Sequence, residues 1–307
     1  MKKKRIIFMG TPDISAAYLD SLISNDYNII AVYSQPPREK DRGLNIKISP
    51  VQELALKNKL AIYNPIKFDK NEIYNFKKLK PDLVIVMAYG LLLPVAILKI
   101  PFYGCVNIHV SLLPRWRGAA PIEYAIMNGD KETGITIFKL EEKLDSGPII
   151  SQSKIIIDDN ITKQKLINKL NTIGIKLLLT SLPNMFTNKD IYEKQDEDLS
   201  TYANKITSLT TKIDFNKNVN EVFNKIKAFS PKPAAWFIYN NERIKIIEAS
   251  IVLGDYSPST IINNKFNIGC HGGKICPILI QREGKKPMMI ENFLRGFNFN
   301  IGQKVNV

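Results

Sequence analysis

Asn107 and His109 stand two residues apart in the run Gly104-Cys-Val-Asn-Ile-His-Val-Ser-Leu-Leu-Pro-Arg-Trp-Arg-Gly-Ala-Ala-Pro121. On a strand, period-two geometry sends both side chains to one face, about 7 Å apart along the chain. Farther on, Leu144-Asp-Ser-Gly-Pro148 places Asp145 in a turn between two apolar stretches, where its carboxylate can return toward that face. An amide, an imidazole and a carboxylate sharing a pocket suit acyl transfer. The amide donates to a developing oxyanion, the imidazole supplies a proton or positive charge, and the carboxylate orients it or relays protons. The same residues have plainer readings, His109 as a structural strand-end histidine and Asp145 as an Asx-turn residue. Cys105 lies on the same face, but four residues of strand separate it from His109 by roughly 13 Å, too far for a Cys/His nucleophile, and it reads as packing. Ser111 has no base at a recognisable spacing.

The elements that must position these groups alternate in type. Arg5-Ile-Ile-Phe-Met-Gly10, residues 27–33 and residues 82–88 read as buried strands, with helical periods over residues 13–24 and 51–58 between them. Strands that are apolar on both faces and alternate with helices predict a mostly parallel sheet in an α/β domain. Ligands of such sheets sit beyond the carboxyl ends of the strands, where the Asn107–His109 motif falls. Gly10-Thr-Pro12 lacks the remaining glycines of a dinucleotide fingerprint and no Gly-Lys-Ser/Thr loop occurs, which argues against required NAD or ATP. Residues 134–140 and 149–157 read as strands flanking the Asp145 turn, and residues 161–182 as a long amphipathic helix. From about residue 188 the chain turns polar and reads as a linker. Beyond it come a helix over 219–229 and short strands over 235–239, 244–251, 260–262 and 274–281, a pattern that fits a small β-barrel.

The chain of 307 residues is long enough for two domains, and no stretch approaches the length of a membrane span. The opening Met1-Lys-Lys-Lys-Arg5 precedes too short an apolar run for a secretory signal, which reads as a cytoplasmic protein. Cys270-His271 with Cys276 lacks a fourth ligand at zinc spacing, so no metal is expected. The formal charge is +14, with 14 Lys/Arg against 7 Asp/Glu in residues 206–307 and 29 against 22 in the longer first part. That concentration implies a polyanionic partner or a lysine-rich codon bias. Within the polar insertion at 35–47, Arg38, Lys40, Arg42 and Lys47 could contact phosphates, or simply be solvated. Arg115 and Arg117 could orient the loop or meet a carboxylate or phosphate, or simply be solvated charges. Ser111, Leu112, Leu113 and Pro114 could offer backbone groups and apolar walls to a flat heterocycle.

Taken together, Arg5-Ile-Ile-Phe-Met-Gly-Thr-Pro12, Ser111-Leu-Leu-Pro-Arg-Trp-Arg-Gly-Ala-Ala-Pro-Ile122, Gly134-Ile-Thr-Ile137, Leu144-Asp-Ser-Gly147, Lys212-Ile-Asp-Phe215 and the block from Lys227 to Trp236 resemble the bacterial methionyl-tRNA formyltransferases along the whole chain. The resemblance implies a Rossmann-type formyltransferase domain over residues 1–188, a linker at 189–207 and an OB-like tRNA-binding domain over 208–307. It implies Asn107, His109 and Asp145 as catalytic residues, Ser111 to Pro114 as the folate-site wall, and Arg38, Lys40, Arg42 and Lys47 as contacts to the acceptor stem of the tRNA. The substrates so implied are 10-formyltetrahydrofolate and initiator methionyl-tRNA, with no membrane partner and a monomer as the family default. Glu39, Asp41 and Asn45 intrude on the family's usual Gly/Lys-rich loop. Formyltransferases acting on a glycinamide ribonucleotide or an amino-sugar nucleotide are the enzymatic rivals. A decayed transferase fold serving only to bind RNA is the non-catalytic one.

Overall fold

The computed structural model describes residues 3–40, 45–159, 161–187 and 192–306. The chain divides into two compact units, the first from Met1–Gly118, Thr133–Ile155 and Ile167–Tyr202, the second from Ala119–Glu132, Ile156–Leu166 and Ala203–Val307. In chain order the elements are β1 (Ile6–Gly10), α1 (Asp13–Ser24), β2 (Ile29–Tyr33), β3 (Arg38–Lys40), β4 (Asn45–Lys47), α2 (Pro50–Lys57), β5 (Ile62–Tyr63), α3 (Lys70–Lys78), β6 (Leu83–Met87), α4 (Val95–Leu98), β7 (Cys105–His109) and β8 (Arg117–Gly118). They continue through α5 (Pro121–Met127), β9 (Glu132–Lys139), β10 (Ile149–Ile156), α6 (Lys163–Met185) and β11 (Tyr202–Ala203). The last part holds α7 (Val219–Phe229), β12 (Ala235–Tyr239), β13 (Glu242–Leu253), β14 (Ile268–Cys270), β15 (Gly273–Arg282), β16 (Met288–Met289) and α8 (Ile290–Leu294).

The first unit is built on a seven-stranded sheet in the order β10-β9-β7-β6-β1-β2-β5. The pairs β1–β2, β1–β6, β6–β7 and β2–β5 are parallel and β7–β9 is antiparallel, giving the mostly parallel sheet that the alternation of elements predicts. Every residue of β1 and β6 is buried, as continuous Ile/Val/Leu runs demand when both faces of a sheet are covered. Side chains of Ile7, Met9, Tyr33, Phe76, Val84 and Val86 form one core cluster, each buried aliphatic contributing about 1.5–3 kcal/mol. Local signals set the helix starts. Ser49 Oγ accepts from Gln52 N ahead of Pro50, and Asp69 caps Glu72 N in the same way. Parallel pairing puts Gly10, Met87 and His109 at one edge of the sheet, so β7 delivers the motif to the carboxyl end.

The second unit carries α7 and an antiparallel sheet in the order β12-β13-β15-β14, with β16 added to β15. A shift of register around Glu248 bends β13 and curls the sheet into its OB-like half-barrel. Val219, Val222, Ile226 and Phe229 bury one face of α7. Phe215, Phe237, Tyr239, Phe266 and Phe293 fill the interior, with Phe266 touching four other phenylalanine rings and Tyr239 within 6.3 Å.

Three details differ from the sequence reading. Within the polar insertion, β3 and β4 pair as a short antiparallel ladder. The strand expected at 260–262 is reduced to single bridges, Thr260 with Lys304 and Ile261 with Ile268, because Ser259 at φ +58° and the turn at Asn263 leave no length for a ladder. Residues 193–202, polar enough to read as a linker, are built into the first unit: Glu193 bridges Ile149 and Gln195 is buried.

Candidate active site

The site grows from β7. Its pairing with β6 on one side and β9 on the other fixes Asn107 opposite Val86 and Phe138, and His109 opposite Thr136. His109 is 5% exposed, with its ring edge-on to Phe138. Its Nε2 lies 2.8 Å from the Trp116 carbonyl. A carbonyl only accepts, so Nε2 carries the hydrogen and Nδ1 is the atom that gains or loses a proton. Nδ1 faces Asp145 Oδ2 at 3.8 Å, which brings the turn carboxylate to the imidazole as the sequence reading anticipates. Asp145 is itself buried, and the backbone N–H of Gly118 donates to Oδ2 at 2.8 Å. Asn107 is half-buried on the same strand face, two residues before His109. An imidazole of fixed tautomer and a buried carboxylate therefore meet at the strand end, with the Asn107 amide two residues back on the same strand face.

Residues 111–114 follow just after β7, and their polar groups are largely spent inside the protein. Thr136 Oγ1 donates to the Ser111 carbonyl at 2.7 Å and accepts from Leu113 N at 3.1 Å. Gln152 Nε2 donates to the Leu113 carbonyl at 2.8 Å. Ser111 Oγ donates to the Arg115 carbonyl at 2.5 Å and so serves as a turn hydroxyl. Ser111 and Leu113 are thus buried, while Leu112 and Pro114 remain half-buried. Cys105 packs in the core, and burial pushes its thiol up to about 12, which removes it from nucleophilic chemistry.

Beneath the Asp145 turn lies a polar network. Arg117 is the largest fully buried side chain among the described residues. Its guanidinium donates to Gln195 Oε1 at 3.1 and 2.9 Å and to Glu197 Oε1 at 2.9 Å. Among the readings of Arg117, a carboxylate partner is realised, and it comes from the acidic stretch 196–198. Glu197 also pairs with Lys143 at 2.6 Å, and the Arg117 and Lys143 hydrogen bonds hold its carboxyl down to about 2. Arg115 is exposed and stacks its guanidinium 4.4 Å over the Trp116 ring.

Residues 4–182 match the formyl transferase family and residues 205–298 match the formyl transferase C-terminal domain. The chain is 40% identical over 298 residues to the methionyl-tRNA formyltransferase of Brucella melitensis, covering 95% of this chain and 97% of the relative. The chain belongs to the methionyl-tRNA formyltransferase family. That of Pelagibacter ubique is 39% identical, with 98% of each chain covered. A crystal structure of a sugar 3N-formyltransferase superposes with a TM-score of 0.63 over 93% of this chain and 100% of that one, and at 22% identity it supports the fold.

Membership in the methionyl-tRNA formyltransferases leaves the individual residues to be judged on geometry. His109 and Asp145 converge, and Asn107 shares the strand face of His109. Lys47 is exposed at the end of β4 and Arg38 and Lys40 stand on β3, while Arg42 lies outside the described residues. Among the described residues no group of three or more His, Cys, Asp or Glu is arranged to hold a metal ion, and no helix is long and apolar enough to cross a membrane. Sequence reasoning missed Gln195, Thr136 and Gln152. Thr136 sits in the quoted Gly134-Ile-Thr-Ile137 motif and was within reach on that ground, whereas Gln195 carries no local signal.

Proposed function

We propose that the chain transfers the formyl group of 10-formyltetrahydrofolate to the α-amine of methionyl-initiator tRNA. The observation that carries this reading is the match along nearly the whole chain to relatives named methionyl-tRNA formyltransferase, both matched regions included. The residues fit the formyl donor. Leu112 and Pro114 offer apolar edges beside a strand end, whereas the Ser111 carbonyl, Leu113 N and the Leu113 carbonyl are bonded to Thr136 and Gln152, so this segment's contribution to a flat heterocycle is its apolar edge rather than those backbone groups. The sugar 3N-formyltransferase of similar fold was solved with 5-N-formyl-THF present.

In this reading the neutral amine attacks the formyl carbon on N10 of the folate. Asn107 donates to the oxygen that becomes anionic, and His109, protonated at Nδ1 while Nε2–H stays on the Trp116 carbonyl, adds positive charge beside it. Asp145, fixed by Gly118 N–H, holds the imidazolium by charge across 3.8 Å and takes up the proton released by the amine. Collapse of the tetrahedral intermediate returns a proton to N10 and releases tetrahydrofolate, so no covalent enzyme intermediate forms. All three residues belong to the first unit, so one chain supplies the whole set, and the reading is completed by a monomer acting in the cytoplasm. The basic residues of 206–307 and of the 38–47 loop supply the charge that a tRNA requires.

The test is formyl transfer to initiator methionyl-tRNA, to elongator methionyl-tRNA and to an amino-sugar nucleotide, run with the wild type and His109→Ala. The reading expects transfer to the initiator alone and a loss of about a hundredfold to ten-thousandfold in the variant. Transfer to the sugar nucleotide without a tRNA product would overturn the substrate while leaving the catalytic residues in place.

A further inference from the structure

Asp145 adopts a left-handed backbone, φ +48°, in a turn with little support of its own. Ser146 N reaches the Lys143 carbonyl at 3.5 Å and Ser146 Oγ donates to the same oxygen at 3.0 Å. Residues with a side chain seldom hold that conformation unaided. The turn is instead held from outside. Gly147 lies so close to β9 that a Cβ there would stand 1.8 Å from the Lys139 carbonyl oxygen. From a segment 50 residues away, Gln195 Nε2 donates to the Asp145 carbonyl at 2.8 Å and to the Gly147 carbonyl at 2.7 Å.

The orientation of that amide is dictated by its partners. Its oxygen accepts from Nε and Nη2 of Arg117, and a guanidinium can only donate; its nitrogen meets two carbonyls, which can only accept. Arg117 is fully buried, its backbone N–H donates to the Thr201 carbonyl at 2.8 Å, and Glu197 also binds the guanidinium. The next residue, Gly118, donates to Asp145 Oδ2. The dipeptide Arg117-Gly118 therefore grips both ends of Asp145, the carboxylate directly and the backbone through Gln195.

We infer that Gln195 is a positioning residue for formyl transfer, setting where the Asp145 carboxylate meets His109 and acting through Asp145 rather than on the substrate. The inference rests on the reading of Asp145 as the catalytic carboxylate. Gln195→Glu keeps the acceptor for Arg117 and replaces the donating nitrogen with an oxygen that faces two carbonyl oxygens. Gln195→Met keeps the volume and removes all four hydrogen bonds, the two to the turn carbonyls and the two from Arg117. Displacing a reacting group by about 1 Å costs on the order of a hundredfold.

The experiment measures kcat and KM of the full-length chain as wild type, Gln195→Glu, Gln195→Met, Asp145→Asn and Asp145→Asn/Gln195→Glu, with melting temperatures alongside. The expected result is a fall in kcat of about tenfold to a hundredfold in the Gln195 variants, with KM for both substrates unchanged. In the double variant kcat is no lower than in Asp145→Asn alone, because a residue acting through Asp145 has nothing left to position. A slow Asp145→Asn with a wild-type Gln195→Glu, or a further fall in the double variant, overturns the positioning role. A rise in KM at unchanged kcat, or failure of both Gln195 variants to fold, assigns Gln195 to binding or stability instead. A fully active Asp145→Asn overturns the catalytic reading itself.

Discussion

The two units of this chain use charge in opposite ways. In the first, polar groups near the strand end are few, buried and individually partnered: His109 with Trp116 and Asp145, Asp145 with Gly118, Arg117 with Gln195 and Glu197. In the second, the interior is aromatic and aliphatic, and residues such as Lys217, Lys265, Lys285 and Lys286 are exposed. A site of the first kind depends on angles and distances, so one altered atom can stop it. A surface of the second kind depends on summed charge, so single losses should be small and cumulative. In the function proposed above, the first kind would serve to stabilise one oxyanion and the second to hold one polyanion.

The sharpest way to break the comparison is Asn107→Ala. Removing a donor to a developing oxyanion costs about a hundredfold to a thousandfold in rate, with binding and folding little altered. Single-turnover formyl transfer with saturating substrates measures it, and an unchanged rate would remove Asn107 from the oxyanion role. An intermediate effect is expected from the basic surface of the second unit. Replacing Lys217, Lys285 and Lys286 together with Gln should leave transfer at saturating tRNA intact and weaken tRNA binding. It should also lower the slope of affinity against salt by up to about one for each phosphate that is no longer neutralised. Filter binding at several salt concentrations checks this. A collapse of kcat would mean that the second unit also works by geometry. Deleting residues 206–307 is a poorer probe, because α5 and α7 belong to the same compact unit and the deletion would strip one from the other.

The same contrast explains what was legible in the sequence. The mostly parallel sheet was readable because its strands are continuous apolar runs, and Asn107 and His109 because they are two residues apart on one of them. Asp145 was readable as a turn residue able to return toward that face, but its distance from His109 was not, being a matter of how β9 and the turn return to β7. Gln195 was not readable at all. It lies 78 residues from Arg117 in a polar stretch whose composition matches solvated chain, and its burial follows from pairing that no local pattern encodes. The strand that was expected at 260–262 fails for the converse reason: local β-propensity was present, but the backbone at Ser259 turns away.

The smallest expected effect concerns Glu197, which stands between the two kinds of charge. It binds the buried Arg117, yet its own side chain is 47% exposed. The Arg117 hydrogen bonds and then Lys143 lower its carboxyl from the ordinary 4.5 to about 2. A carboxyl depressed by folding stabilises the protein fully above its unfolded value, and that contribution fades as the pH falls through the folded value. The difference in melting temperature between wild type and Glu197→Gln should therefore be constant above about pH 5, shrink between 4.5 and 2, and vanish below. Solvent screening keeps it small and added salt makes it smaller, since Gln195 still satisfies part of the guanidinium. A difference that stays flat down to pH 2 would show that Glu197 is not held ionised by Arg117. The buried guanidinium would then depend on Gln195 and Tyr202, and the contrast between geometric and summed charge would have to be drawn inside the first unit.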